Sequence, residues 1–322
     1  MKSLSVSADS LEMITPSDKE INLLSNLDPA YVAVLEMTKS EREFVTALIC
    51  RYKPRKLLEL GVSAGGSSVL MMSAANKTNE GEEYPARLYA IDYAEKYYRN
   101  IKLSVGYIVD QYPELKPHYH IYSGGMAYRF LDLIGEDIDF CLIDTAHVNP
   151  GEILDFLMVL PYLKENAVVV LHDVGMHTSM SSKSFARRDL NHTTALLFSA
   201  ICGKVLLPAF FSKTENNEMY FANVGAIVID KTTREHLFGA FNLLTIRWSY
   251  KPSSREESEI CEFFQRHYDQ LFADFTARIF AYHNHYFTEA RRRTPLVRKI
   301  LRKALPLWAK TILARIYDRL LQ

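Results

Sequence analysis

Between Lys56 and Asp173 the chain alternates short apolar runs with longer stretches of helical period. The runs are Lys56-Leu57-Leu58-Glu59-Leu60, Arg87-Leu88-Tyr89-Ala90-Ile91-Asp92, His118-Tyr119-His120-Ile121-Tyr122, Ile138-Asp139-Phe140-Cys141-Leu142-Ile143-Asp144 and Ala167-Val168-Val169-Val170-Leu171-His172-Asp173. Most are apolar throughout, without strict alternation, which is the pattern of parallel strands covered on both faces. The stretches between them predict helices: one from Ser67 through Met72 and beyond, an aromatic-rich one over 94–112, a short one over 126–134 and one from Pro150 to about Leu163. Strand and helix in alternation predict a doubly wound α/β sheet.

Beyond the fifth run, Gly175 to Asn191 is polar and irregular, in the place of a substrate lid. A helix from Asn191 to about Cys202 and two further strands follow, at Lys204–Leu207 and Val224–Asp230. Ahead of the first run, residues to about Leu27 read as loosely packed, and Asp28-Pro29 opens a helix through Met37. Ser40 and Glu43 read as a capping box for the next helix. After Lys231 the character changes. Ser254–His285 is helical and aromatic, and 291–319 carries ten Lys or Arg against one acid, Asp318. With apolar residues such as Trp308 on the other face, that tail predicts a basic amphipathic helix interrupted at Pro306. It could lie on an anionic membrane or pack on the body. Three regions result: a helical N-terminal extension over 1–50, the α/β domain over 51–232, and a helical C-terminal region over 233–322.

A formal net charge of zero gives no reason to expect a nucleic-acid partner. The four cysteines are scattered without a Cys-x-x-Cys, as free thiols of a reducing compartment would be. No secretory leader is legible and no run of ~18 apolar residues occurs, so the expected location is cytoplasmic, with the tail as a candidate contact with the inner membrane face.

The chemistry concentrates where the strands end. Glu59, Asp92, Asp144 and Asp173 all fall at strand C-termini, and ligands of such sheets bind there, where strand order reverses. The turn Gly61-Val62-Ser63-Ala64-Gly65-Gly66 leads from strand to helix. Glycines let a backbone approach a ligand, and a helix N-terminus offers free N–H groups. Ser63 breaks the Gly-x-Gly-x-x-Gly pattern of dinucleotide sites, and no phosphate-binding loop with Gly-Lys-Ser/Thr occurs. Asp92 could accept from ribose hydroxyls.

From about Ser40 to Asp230 the chain resembles the class I S-adenosylmethionine (SAM)-dependent methyltransferases. The residues that carry the likeness are the glycine turn, Ile143-Asp144-Thr145-Ala146-His147 and Leu171-His172-Asp173-Val174. Within that class it is similar to O-methyltransferases that modify antibiotic sugars and polysaccharides. The resemblance implies a Rossmann-like, seven-stranded, mostly parallel sheet with the last strand antiparallel between the fifth and sixth. It implies SAM held by Gly61, Gly65 and Gly66 at its methionine end, Glu59 near the α-ammonium, Asp92 on the ribose, and Ser123, Gly124 and Met126 about the adenine, with Asp144 alongside. The acceptor hydroxyl must lose a proton, to a His147 base beside Asp144 or with help from Mg²⁺ held by Asp144 and Asp173. Metal-dependent relatives carry another ligand after the later strand; here Val174 stands there. The implied acceptor is a hydroxylated small molecule or glycan, and a homo-oligomer stays open. The rival readings are a catalytically silent methyltransferase-like scaffold with a binding tail, and an NAD-dependent oxidoreductase.

Overall fold

The computed structural model describes residues 10–23, 34–81, 85–176, 192–209 and 223–293. Eight strands make one sheet: β1 (Leu11–Ile14), β2 (Lys56–Leu60), β3 (Arg87–Asp92), β4 (Tyr119–Ser123), β5 (Ile138–Ile143), β6 (Leu163–His172), β7 (Lys204–Pro208) and β8 (Val224–Val228). Their order is β1-β7-β8-β6-β5-β2-β3-β4, and every pairing is parallel except those of β8, which runs antiparallel between β6 and β7. From β2 the chain builds outward through β3 and β4, then returns to place β5 on the other flank of β2. The order therefore reverses between β2 and β5, which is where such a sheet opens a crevice for ligands.

The eighth strand corrects the expected count of seven. Leu11–Ile14 pairs in parallel with β7, with Ile14 buried, so this part of the N-terminal segment is ordered in the sheet rather than loosely packed. A short helix, α1 (Asp18–Asn22), follows with Ser17 as its N-cap. The expected helix at Asp28–Met37 falls largely outside the described residues.

Apolar runs without alternation are buried on both sides, as the pattern demands. On one face Leu57, Phe140, Leu142, Val168 and Val170 meet α2 (Lys39–Tyr52), through Phe44 and Leu48, and α3 (Gly66–Thr78), through Val69 and Met72. On the other face Leu58, Leu60, Cys141, Ile143, Val169 and Leu171 meet Ile153, Phe156 and Leu157. Those three lie on α5 (Gly151–Val159), which follows the one-turn α4 (Leu131–Ile134). After α6 (Thr193–Ala200) and β8, the chain adds α7 (Lys231–Glu235), α8 (Phe238–Leu243), α9 (Ser254–His267) and α10 (Gln270–Arg293). Phe241, Trp248, Phe263, Phe264 and Phe280 from that region are buried in the α5-side cluster. The described C-terminal helices thus share a core with the sheet.

Two local expectations change. The capping box of α2 is Thr38 with Glu41, not Ser40 with Glu43. Both pairs have the right spacing. Thr38 is the extended residue, and Glu41 turns inward, its Oε2 lying 3.5 Å from His172 Nε2, while Glu43 pairs outward with Lys39. The helix expected over 94–112 is absent: a bridge joins Lys96 to Ser104, and only a 3₁₀ turn forms at Tyr107–Gln111. Gly106 takes φ +71°, and its Cα lies 2.9 Å from where a Cβ on Gly65 would stand, a fit that a continuous helix would not allow. Among the described residues no helix is long and apolar enough to cross a membrane. The lid expected at 175–191 lies outside the described residues beyond Met176, and the basic tail does so from Thr294 onward.

Candidate functional site

At the reversal point the end of β2 is stitched to both neighbours: Asp144 N–H, at the end of β5, donates to Leu60 O at 2.9 Å, and Gly61 N–H donates to Ile91 O on β3 at 2.9 Å. Gly61, at φ +87°, is required by this packing, because a Cβ there would lie 1.8 Å from Asp144 O. Gly66 abuts Leu35 in the same way. Above these strand ends is a cavity of about 790 Å³, within the range of ligand sites.

Its walls include Gly61, Gly66, Ser63, Asp92, Met126, Asp144, His147 and Asp173. Gly65, in the turn, is buried without lining the cavity, and Ser123 and Gly124 stand exposed at the end of β4, also without lining it. The carboxylate of Asp92 receives Val62 N–H at 2.9 Å, Ser63 N–H at 3.0 Å and Ala94 N–H at 2.8 Å. It therefore shapes the glycine turn as well as facing the cavity. The hydroxyl of Ser63 is buried with no hydrogen-bond partner, and Ser63 itself holds φ +53°. An orphaned hydroxyl on a cavity wall suits a polar ligand.

Glu59 is fully buried behind the turn and accepts from the hydroxyls of Ser67 and Ser68 in the first turn of α3. Burial pushes its carboxyl up to about 8.

Across the cavity, Asp144, His147 and Asp173 each offer one ligand atom, all within 4.8 Å of one another. His147 Nε2 lies 3.1 Å from Asp173 Oδ2 and 3.6 Å from Asp144 Oδ1. Its Nδ1 is 3.1 Å from Glu152 Oε1 but out of line for a hydrogen bond, while its backbone N–H donates to that same oxygen. Burial opposes charge on His147, yet Glu152, Asp144 and Asp173 outweigh it and push the ring up to about 9. Burial also opposes the charge of Asp173, and His172 and His147 beside it hold its carboxyl below the usual carboxylate range. His172 lies below, fully buried, with Nδ1 3.4 Å from Asp144 Oδ2. Asn223, just ahead of β8, donates to Asp173 Oδ1 at 2.6 Å. His147 and Asp173 both sit at positive φ, 53° and 59°. Strained backbone of this kind gathers at functional sites.

Several cavity residues escaped the sequence reading. Asp155 receives the Thr145 hydroxyl at 2.8 Å, and burial pushes it up to about 7. It was legible as one of two acids, with Glu152, in an otherwise apolar helix. Tyr93, Tyr250, Lys251 and Glu256 carry no such signal, since aromatic and charged residues are common on surfaces.

Residues 58–174 match a family model described as a methyltransferase domain. No curated protein matches the chain. Among solved structures, the cofactor-bound Rv0187 from MTB is 18% identical, with 68% of this chain and 100% of that one covered and a TM-score of 0.46. The SAH-bound methyltransferase PaMTH1 of Podospora anserina is 14% identical, covering 68% and 100%, with a TM-score of 0.46. The O-methyltransferase from Bacillus cereus in complex with SAH is 15% identical, covering 67% and 93%, with a TM-score of 0.42. Likenesses at this level speak to neither substrate nor mechanism. The span that matches the methyltransferase domain model, residues 58–174, holds the glycine turn, Asp92, Asp144, His147 and Asp173.

Proposed function

We propose that the methyltransferase domain of this chain transfers the methyl group of SAM to an oxygen of a hydroxylated small molecule or glycan. The observation that carries the reading is one cavity at the strand-order reversal, with the glycine turn and Asp92 on one side and the Asp144–His147–Asp173 trio on the other. Bound there, SAM supplies an activated methyl on a sulfonium. The acids that line the cavity suit a cation. Lys96, which hydrogen-bonds the neutral Ser104 hydroxyl at 3.3 Å, is the candidate partner for the methionine carboxylate. Asp92 and the Ser63 hydroxyl face the ribose end.

The chain's own contribution to the reaction is alignment and proton handling. The trio fits a divalent cation through two carboxylates and one imidazole, a donor set that suits Mn²⁺ at least as well as Mg²⁺. Such a cation would acidify the acceptor hydroxyl. His147 lies between the carboxylates of Asp173 and Glu152, each 3.1 Å from a ring nitrogen. Because the three donor atoms converge within 4.8 Å of one another, the metal-assisted version is the reading preferred over His147 as a free base. Calorimetry with SAM and S-adenosylhomocysteine (SAH) tests the cofactor site, and failure to bind either would overturn the assignment. Turnover separates the enzyme from a silent scaffold. A peripheral membrane role for the basic tail rests on its sequence and predicts salt-sensitive co-sedimentation with anionic vesicles.

A further inference from the structure

Two loops on the cofactor side of the cavity are held by a helix outside the span that matches the methyltransferase domain. That span ends at residue 174, and α9 begins only at Ser254. We infer that the first two turns of α9 brace the cofactor side of the cavity, with Glu259 and Glu256 as positioning residues that keep the Met126–Ala127 wall and the Asp92–Ala94 loop in their ligand-binding shape. The brace presupposes the methyl-transfer reading and adds to it the part of the chain that sets cofactor affinity from outside the domain.

The Met126 wall follows β4. After Ser123 and Gly124, the residues Gly125, Met126 and Ala127 line the cavity. The next two, Tyr128 and Arg129, instead line a separate surface cleft together with Glu259. There Glu259 Oε2 receives the Tyr128 hydroxyl at 2.5 Å, Arg129 Nη2 at 2.8 Å and Arg129 Nε at 3.2 Å, while its Oε1 receives Arg255 Nε at 2.7 Å. Tyr128 is 6% exposed, and a buried phenol hydroxyl needs such a partner. The stem of Arg129 lies against the turn itself, since a Cβ on Gly125 would stand 2.8 Å from its Cδ. Glu259 therefore grips this loop through the two residues that directly follow its cavity-lining ones.

The second loop is gripped one turn earlier. Glu256 precedes Glu259 by three residues, on the same face of the helix. Its Oε1 receives the hydroxyl of Tyr93 at 3.1 Å, and Tyr93 directly follows Asp92. Its Oε2 is fixed by the N–H of Ser253 at 2.8 Å and the Ser253 hydroxyl at 2.7 Å, within the capping box of α9. The helix that carries both acids is anchored in the core by Ile260, Phe263 and Phe264. Ion pairs this exposed add little to stability. Their effect is on shape, because a loop already held in its bound conformation does not have to be ordered when the ligand arrives.

The test uses the full chain, titration calorimetry with SAH, and the ligand-free Tm. Tyr128, Arg129 and Glu259 do not line the cavity, so a change of SAH affinity in their variants is transmitted through the loop. E259A should weaken SAH by about three- to ten-fold, the size of one or two side chains that must be re-ordered on binding. Y128F, the milder change, should weaken it by about three-fold, and E259Q, which keeps one accepting oxygen, should fall between wild type and E259A. Adding Y128F to E259A should weaken SAH no further, because the two residues act through one contact. Y268F is the control for a merely structural helix. It removes the hydrogen bond from the C-cap of α9 to Leu157 O at 2.5 Å, and should lower Tm with SAH affinity unchanged. The brace is refuted if E259A and Y128F bind SAH as wild type does, or if Y268F weakens SAH as much as E259A; should E259A not fold, Y128F decides alone. Failure of the wild type to bind SAH would instead bring down the methyl-transfer reading.

Discussion

Replacing Asp92 with alanine should damage the protein twice, and the two losses can be measured separately. The first is structural. The carboxylate holds three backbone N–H groups, of Val62, Ser63 and Ala94, at 2.8–3.0 Å. Val62 is buried, so its N–H would be left without water, while the exposed Ala94 can find solvent. Hydrogen bonds to a charged group are worth about 1.5–3 kcal/mol and an orphaned buried donor costs about 1–3 kcal/mol. With one N–H re-solvated, the expected destabilisation of the ligand-free protein is about 2–4 kcal/mol. At ~2 °C per kcal/mol for a large chain, Tm should fall by ~4–8 °C. The second loss is at the ligand, where the ribose hydroxyls lose their acceptor, weakening SAH by a further ~1–3 kcal/mol. Scanning calorimetry without ligand reads the first, and titration calorimetry below the lowered Tm reads the second. Asp92→Asn, which keeps one accepting oxygen, should fall between. A ligand-free Tm unchanged in Asp92→Ala would refute the claim that this carboxylate builds the turn. Unchanged SAH affinity in the folded variant would refute its part in binding.

The other expectations are briefer. EDTA should abolish turnover and Mn²⁺ or Mg²⁺ restore it, with Asp144→Asn and Asp173→Asn each weakening the metal; EDTA-resistant turnover rejects the metal-assisted version. His147→Asn should then lower metal affinity while sparing SAH, read by calorimetry. Glu59 is raised by burial to about 8 from its ordinary value of 4.5, so the native state binds the proton more tightly than the unfolded chain. Its contribution is complete below pH ~4.5 and fades as pH rises toward ~8. Glu59→Gln should therefore flatten the fall of Tm between those limits, and parallel profiles would disprove the burial argument. Gly61→Ala should cost at least ~3 kcal/mol, since it combines a left-handed φ with a Cβ inside Asp144 O, and chemical denaturation reads it.

Most of the sheet was legible because buried parallel strands announce themselves as unbroken apolar runs, and five of them fall within residues 56–173. The strand Leu11–Ile14 was not, because Leu-Glu-Met-Ile is only four residues long and interrupted by Glu12, and only β7 beside it makes it a strand. Strand-end position singled out Asp92, Asp144 and Asp173 correctly as cavity residues. Glu59, singled out by the same logic, turns its side chain under the turn onto Ser67 and Ser68; one residue of strand separates the two faces, and a run of leucines does not say which face an acid takes. Ser123 and Gly124 are at a strand end too, but at the edge of the sheet rather than at its reversal. Tyr250 and Tyr93 needed the fold, because their meeting across 157 positions leaves no trace in local spacing.

The order in which the chain is written has a consequence for its birth. Every strand is present once residue 230 has been made, but the helices that cover the α5 side, with Phe241, Trp248, Phe263 and Phe264, come later. At ~5–20 residues per second, the 63 residues from 230 to 293 take about 3–13 s to synthesise. During that interval the nascent domain carries the glycine turn and the reacting trio, with α5 already on that face of the sheet but without Phe241, Trp248, Phe263 and Phe264, which complete its core. A ribosome stalled in this window should display a sticky, chaperone-seeking intermediate, and the arrival of those helices is the step on which solubility turns.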